Sequence, residues 1–139
     1  MLNDATAYVL DASAVLAYVY DEPGADQVET ILKDEEAQVY MNAATLGEVF
    51  YDIMKEESKE AALQMLAHIR HIGIEIIPLD EDLALSAANL KGFSGVPYVD
   101  GMAAATALKY DAVLVTLDPD FARLEDHLKI KWITSSSQP

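Results

Sequence analysis

The chain has 139 residues, of which 52% are hydrophobic, so it can form one domain with a single core and is not globally disordered. Cysteine is absent, which excludes a disulfide framework and any thiolate-bound zinc or iron–sulfur site. The net charge of −15, from 24 acidic and 9 basic residues, counts against tight binding of nucleic acid through a basic surface.

Short apolar runs alternate with segments of helical periodicity along the whole chain. The apolar runs do not alternate in polarity, which is typical of strands buried on both faces of a sheet. The predicted elements, in chain order, are a strand at 7–11, helices at 13–22 and 25–34, a strand at 37–41, helices at 42–58 and 59–71, a strand at 74–79, a helix at 81–91 ending at Gly92, a loop at 92–98, a helix at 100–110, a strand at 112–117, a short turn or helix after Pro119, and an edge strand at 129–133.

This alternation of strands and helices predicts an α/β fold with one central parallel sheet of four to five strands and helices on both faces. We expect a single domain at 1–134 and a frayed carboxyl-terminal tail at 135–139. The amino terminus does not resemble a signal peptide, and no run approaches the roughly 20 apolar residues that span a bilayer. We therefore expect a soluble, cytoplasmic protein without a membrane partner.

Four acidic residues fall where this fold brings them to one edge of the sheet. Asp11 ends the first predicted strand, and Asp118 ends the fourth. Glu48 lies within about a turn of the start of the helix after the second strand, and Asp100 begins the helix that leads into the fourth strand. Because the carboxyl ends of parallel strands share one edge with the amino ends of the helices that follow them, we expect the four carboxylates to meet there.

Carboxylates brought together repel one another, and a divalent cation relieves that repulsion. An all-oxygen ligand set favours Mg²⁺ or Mn²⁺, and such an ion can polarise a phosphodiester and lower the pKa of bound water. Taken singly, each acid has an ordinary structural explanation: Asp11 and Asp100 as helix caps and Asp118 as a turn residue. Glu48 alone reads as a solvated helix residue. The hypothesis of a metal-dependent ribonuclease therefore rests on the placement of all four acids at one edge of the sheet.

The stretches that contain these acids resemble the PIN-domain family, and within it the VapC-type toxins of toxin–antitoxin pairs. The resemblance covers nearly the whole chain in order. The matching motifs are YVLDASAVLAY with Asp11, NAATLGEVFYDI with Glu48, and VPYVDGMAAATALKYDAVLVTLD with Asp100 and Asp118, continued by DPDF. The resemblance implies that Asp11, Asp100 and Asp118 hold a Mg²⁺ or Mn²⁺ ion. It implies that Glu48 binds this ion directly or through water, and that the four acids form the catalytic set.

The resemblance also implies supporting roles for Ser13, Thr116 and Asp120, and we consider Arg123 and Lys91 as candidates for phosphate contacts near the same edge. The implied function is a metal-dependent endoribonuclease that acts as a toxin, with RNA as substrate, a small antitoxin as partner and a homodimeric assembly. The acidic composition departs from the basic surface that many family members have. The alternative is therefore a catalytically weak or inactive PIN-like module that acts by binding a protein partner.

Overall fold

The sheet has five strands, and every neighbouring pair is parallel, which confirms the predicted α/β architecture. The computed structural model of the chain describes residues 6–134, so the tail predicted at 135–139 lies outside the described residues. The strands follow the order β3-β2-β1-β4-β5 across the sheet. Their bounds are β1 (Ala7–Leu10), β2 (Gln38–Asn42), β3 (Glu75–Ile77), β4 (Val113–Thr116) and β5 (Ile130–Trp132).

Helices cover both faces of this sheet, as predicted. Successive strand residues point to opposite faces, so Val9 and Leu114 pack with the helices at 81–94 and 98–109, whereas Leu10 and Val115 pack with the four preceding helices. Within residues 6–134, no helix is long and apolar enough to cross a membrane. The helices are α1 (Ala12–Val19), α2 (Ala25–Lys33), α3 (Ala43–Glu56), α4 (Lys59–His71), α5 (Glu81–Ser94), α6 (Tyr98–Lys109) and a 3₁₀ helix (Pro119–Leu124).

The direction in which the chain adds strands reverses between β1 and β4. The chain first adds β2 and β3 on one side of β1, and it then returns to place β4 and β5 on the other side. Such a reversal opens a crevice at the carboxyl ends of the two central strands, where ligands of parallel α/β sheets bind. Strands β1 and β4 end directly before the segments that carry Asp11 and Asp118.

The boundaries around α5 and α6 differ from the sequence prediction. Helix α5 passes through Gly92 and ends at Ser94, so the predicted loop shrinks to Gly95–Pro97. A glycine inside a helix costs only about 1 kcal/mol, which the packing of α5 offsets, and Gly95 supplies the left-handed cap with φ +80°. Helix α6 begins at Tyr98, so Asp100 lies in its first turn rather than at its start.

Two other predicted positions shift slightly. Strand β3 covers only Glu75–Ile77, within the longer run predicted at 74–79. Glu48 is the sixth residue of α3, about one and a half turns from its start rather than within one turn. Neither shift changes the fold, because strand and helix ends are the least regular parts of any element.

Helix α6 is the most deeply buried helix among those described, with every residue of Gly101–Ala107 buried. Small side chains allow this helix to approach both the sheet and α5. The approach is closest at Gly101, where an added Cβ would lie 3.0 Å from the backbone oxygen of Ala87. The helix that carries Asp100 is therefore fixed on both sides.

Gly101→Ala should lower the free energy of unfolding by about 1 to 3 kcal/mol, because the new methyl group meets backbone and cannot be accommodated by a side-chain rotation. The matched control is Gly92→Ala in α5, where an added Cβ meets nothing within 4 Å. The control should raise the free energy of unfolding by up to about 1 kcal/mol. Urea denaturation of both variants measures the difference, and changes of the same sign would contradict the close packing at Gly101.

Candidate metal centre

The carboxylate of Asp11 is buried between β1, α1 and β4, with an exposure of 4%. Its Oδ1 accepts hydrogen bonds from the backbone N–H of Ala14 at 2.9 Å and from the Ser13 hydroxyl at 2.7 Å. Its Oδ2 accepts a hydrogen bond from the Thr116 hydroxyl at 2.5 Å. Asp11 thus caps α1 and joins the two central strands at their carboxyl ends.

The two hydroxyl groups that donate to Asp11 also fix the chain after β4. The oxygen of Thr116 accepts from the backbone N–H of Asp118 at 2.9 Å. The oxygen of Ser13 accepts from the backbone N–H of Leu117, also at 2.9 Å. Ser13 and Thr116 therefore connect the buried Asp11 to the segment that carries Asp118.

Three carboxylates come together near the carboxyl end of β4: one oxygen each of Asp100, Asp118 and Asp120 lies within 4.8 Å of the others. The Asp118 carboxylate also accepts from the backbone N–H of Asp120 at 2.9 Å, which starts the 3₁₀ helix and brings Asp120 alongside. Two oxygens bound to one Mg²⁺ lie at most about 4.2 Å apart, so small side-chain movements would let this trio hold an ion.

The remaining predicted acids are not part of this trio. Asp11 uses both oxygens in hydrogen bonds, and Glu48 lies exposed on α3. In the structure, Asp120 belongs to the group of closest carboxylates, although the sequence indicated it only as a supporting residue. Asp11 and Glu48 lie outside this group but close enough for their charges to act on Asp100.

Negative charge accumulates at this site. The pKa of Asp100 is raised to about 7, first by partial burial and then by the charges of Asp118, Asp11, Glu48 and Asp120. Burial raises the pKa of Asp11 to about 6, although its hydrogen bonds favour the ionised form. Partial burial also raises the pKa of Glu48, and nearby carboxylates add to the effect. At neutral pH the group would therefore gain from a bound cation.

The protein itself supplies no cation to these acids in the part of the chain that the structure describes. The ion pairs formed by residues 6–134 lie elsewhere, and they are Lys33–Glu29, Lys109–Asp80 and Lys129–Asp111. Unpaired carboxylates that supply only oxygen donors suit a hard divalent cation. The residues present therefore fit a metal site of the kind the sequence predicts.

The two predicted phosphate contacts have different surroundings. The Arg123 guanidinium donates to the backbone oxygen of Gly95 at 3.0 Å, so it is engaged within the protein. Lys91 lies exposed in the last turn of α5. Contact of either side chain with a phosphate remains a prediction.

Sequence analysis did not single out Asn42, which is completely buried at the end of β2. Its side-chain oxygen accepts from the backbone N–H of Ala44 at 2.8 Å, and its amide nitrogen donates to the Thr106 hydroxyl at 3.0 Å. Asn42 therefore caps the helix that carries Glu48 and joins it to the helix that carries Asp100. An Asn between an apolar run and a helical pattern is a capping signal, but its bond to Thr106 is visible only in the fold.

The sequence matches the PIN domain over residues 8–126. The chain therefore belongs to the PIN-domain family, whose members are generally nucleases. No curated protein sequence matches the chain.

The fold is that of VapC-type PIN proteins. A chain of the Rickettsia felis VapBC2 complex, bound to a promoter DNA fragment, shares 19% identity with a TM-score of 0.74, covering 92% of this chain and 99% of that chain. A chain of Mycobacterium tuberculosis VapBC-5 shares 26% identity with a TM-score of 0.64, covering 93% and 98%. The sarcin–ricin loop cleaving toxin VapC20, from the same species, shares 16% identity with a TM-score of 0.69, covering 83% and 92%.

Thr116→Val should lower the free energy of unfolding by about 1 to 3 kcal/mol, because it leaves the N–H of Asp118 and an oxygen of Asp11 without their buried partner. Thr30→Val is the matched control, since Thr30 is exposed and bonds only to the Asp26 carbonyl. The control should change stability by less than about 0.5 kcal/mol. Urea denaturation compares the two, and equal losses would argue against the Thr116 network.

The stability of the metal-free protein should depend on the protonation of Asp100. Because its pKa is about 7 in the folded protein and 3.8 for the free side chain, the folded state binds more protons between these values. This contribution to stability is fully present below about pH 4 and is lost as pH rises from about 4 to about 7. Asp100→Asn removes it, so the variant should gain in Tm relative to wild type as pH rises.

Thermal unfolding in a chelating buffer measures this difference in Tm across the pH range. Asp126→Asn is the control, because Asp126 is exposed and lies with Asp111 and Ala112 near the amino end of β4, at the opposite end of that strand from Asp118. The control should follow the wild-type curve. A constant offset between wild type and Asp100→Asn would show that protonation of Asp100 does not affect folding.

Proposed function

We propose that the chain is a Mg²⁺- or Mn²⁺-dependent endoribonuclease that acts as the toxin of a toxin–antitoxin pair. The observation that carries the proposal is the trio of Asp100, Asp118 and Asp120 at the crevice between β1 and β4, in a chain of the PIN-domain family. Two similar structures support it: VapC20 is a toxin that cleaves the sarcin–ricin loop, and VapBC-5 belongs to a family of toxin–antitoxin systems. This proposal includes RNA as the substrate, an antitoxin as partner, a homodimeric assembly and a cytoplasmic location.

Asp11, Glu48, Asp100 and Asp118 are proposed as the metal-binding and catalytic set, and the geometry adds Asp120. Asp100, Asp118 and Asp120 would bind the ion directly, since their oxygens are the closest together. Asp11 would support the site by holding Ser13 and Thr116 in position, because both of its oxygens already accept hydrogen bonds. The bound ion would supply positive charge to neutralise the phosphodiester and would acidify a nearby water.

Glu48 has a separate role in this proposal. Its carboxylate lies outside the closest trio and is exposed, so it is free to approach a substrate. Although the residue is exposed, its carboxylate is partly desolvated, and this partial burial and the neighbouring acids raise its pKa, which makes the carboxylate a better proton acceptor. We propose that Glu48 orders the attacking water and accepts its proton. Glu48 could also bind the ion through that water.

The overall charge constrains how RNA is bound. A chain of net charge −15 repels a polyanion, so RNA binding must depend on the ion and on local basic groups. The same charge favours the alternative, a weak or inactive PIN-like module that acts through a partner. A basic antitoxin segment would suit this surface under either function.

The proposal is tested by Mn²⁺ calorimetry followed by cleavage of a panel of RNAs with and without Mg²⁺. Asp118→Asn should lose Mn²⁺ binding and lower cleavage by about 100-fold or more, because the site loses a direct ligand. Asp126→Asn, at an exposed aspartate, is the matched control and should retain both. Asp11→Asn is a poorer test, because its new amide group would face hydrogen-bond donors and disturb the fold.

The outcomes separate the candidate functions. Mn²⁺ binding that depends on Asp118, together with Mg²⁺-dependent cleavage, supports the nuclease. Mn²⁺ binding without cleavage of any RNA favours the module that acts through a partner. Absence of Mn²⁺ binding by the wild-type chain would contradict the metal site itself.

A further inference from the structure

The acidic trio is divided between two segments of chain, the start of α6 and the 3₁₀ helix after β4. Asp100 lies in the first turn of α6, which follows the short loop Gly95–Pro97. Asp118 and Asp120 lie at the start of the 3₁₀ helix that follows β4. The distance between the two segments therefore decides whether the three carboxylates can share one ion.

A single side chain connects these segments by a hydrogen bond. Arg123, in the last turn of the 3₁₀ helix, donates through Nη1 to the backbone oxygen of Gly95 at 3.0 Å. Within the described residues, no other hydrogen bond joins 94–100 to 117–124. Apolar packing makes the remaining connection, through Val96 on one side and Phe121 and Leu124 on the other, all completely buried.

The loop is shaped to receive this guanidinium. Gly95 has φ +80°, and a Cβ added there would lie 3.0 Å from Nη1 of Arg123. The backbone conformation therefore favours glycine, and a Cβ at this position would require the guanidinium to shift. Gly95 lies three residues before the start of α6, and Arg123 lies three residues after Asp120.

We infer that Arg123 is a positioning residue that sets the separation of Asp100 from Asp118 and Asp120, and with it the affinity of the site for its metal ion. This inference rests on the proposed function, because it assumes that the trio binds a metal. The phosphate contact predicted for Arg123 from the sequence stays a separate prediction. The bond to Gly95 occupies one of the five N–H groups of the guanidinium.

The charge of Arg123 and its hydrogen bond predict opposite effects on metal binding. Arg123→Ala removes a positive charge, so if the arginine acted only through its charge, the site would become more negative and bind Mn²⁺ more tightly. If the arginine holds the two segments together, the same substitution loosens the site and weakens Mn²⁺ binding. The sign of the change in affinity therefore decides between the two roles.

The experiment is calorimetric titration of Mn²⁺ into the full chain, at a temperature where thermal unfolding shows each variant to be folded. Arg123→Ala should weaken Mn²⁺ binding by about tenfold, the lower end of the effect of residues that orient metal ligands, because apolar packing still links the segments. Arg123→Lys keeps the charge and can donate one hydrogen bond, so its affinity should lie between those of Arg123→Ala and wild type. Arg70→Ala, an exposed arginine in the last turn of α4, is the matched control and should bind as wild type does.

Each result has one meaning. Weaker binding by Arg123→Ala with partial recovery by Arg123→Lys supports the positioning role, since lower stability alone would not change the affinity of a folded protein. Equal or tighter binding by Arg123→Ala overturns it while leaving the metal site in place. A wild-type chain that does not bind Mn²⁺ overturns the proposed function, and this inference with it.

Discussion

At the carboxyl end of β1, one buried carboxylate accepts three hydrogen bonds from α1 and β4. Burying a carboxylate is costly unless donors replace its water, and here the donors come from both elements that border the crevice. The two hydroxyls then accept from the chain after β4, so strand pairing, the start of α1 and the direction of the acidic segment form one unit. A change at Asp11 therefore alters the fold and the candidate site together.

The same edge of the sheet concentrates charge that opposes folding. Carboxylates placed side by side without a basic partner destabilise the metal-free protein, and rigid surroundings must hold them there. Helix α6 provides this rigidity, because its buried small residues pack closely against the sheet and α5. The stability of the core thus compensates for repulsion at the site, which a bound cation would remove.

The sequence was sufficient for features set by local pattern. Asp11 and Asp118 were placed at one edge because each follows an apolar run that could only be a buried strand. The closeness of Asp120 depends on the 3₁₀ turn that Asp118 starts, and a turn or helix was all that its sequence indicated. Gly92 misled the prediction of the end of α5, since a helix tolerates one glycine when its other residues are well packed.

Sequence reasoning could not predict the strand order. It also could not predict the hydrogen-bond partners of Asn42 and Arg123, because these bonds join residues that are 64 and 28 positions apart. This separation in sequence also affects how the protein is made. The central strand, β1, is synthesised first, but the hydroxyl of Thr116 that completes its carboxyl end comes 105 residues later. Domains whose contacts are so distant in sequence fold only when both partners of those contacts are available. A ribosome making this protein would therefore not carry an assembled acidic centre until the segment with Thr116, Asp118 and Asp120 had left the exit tunnel.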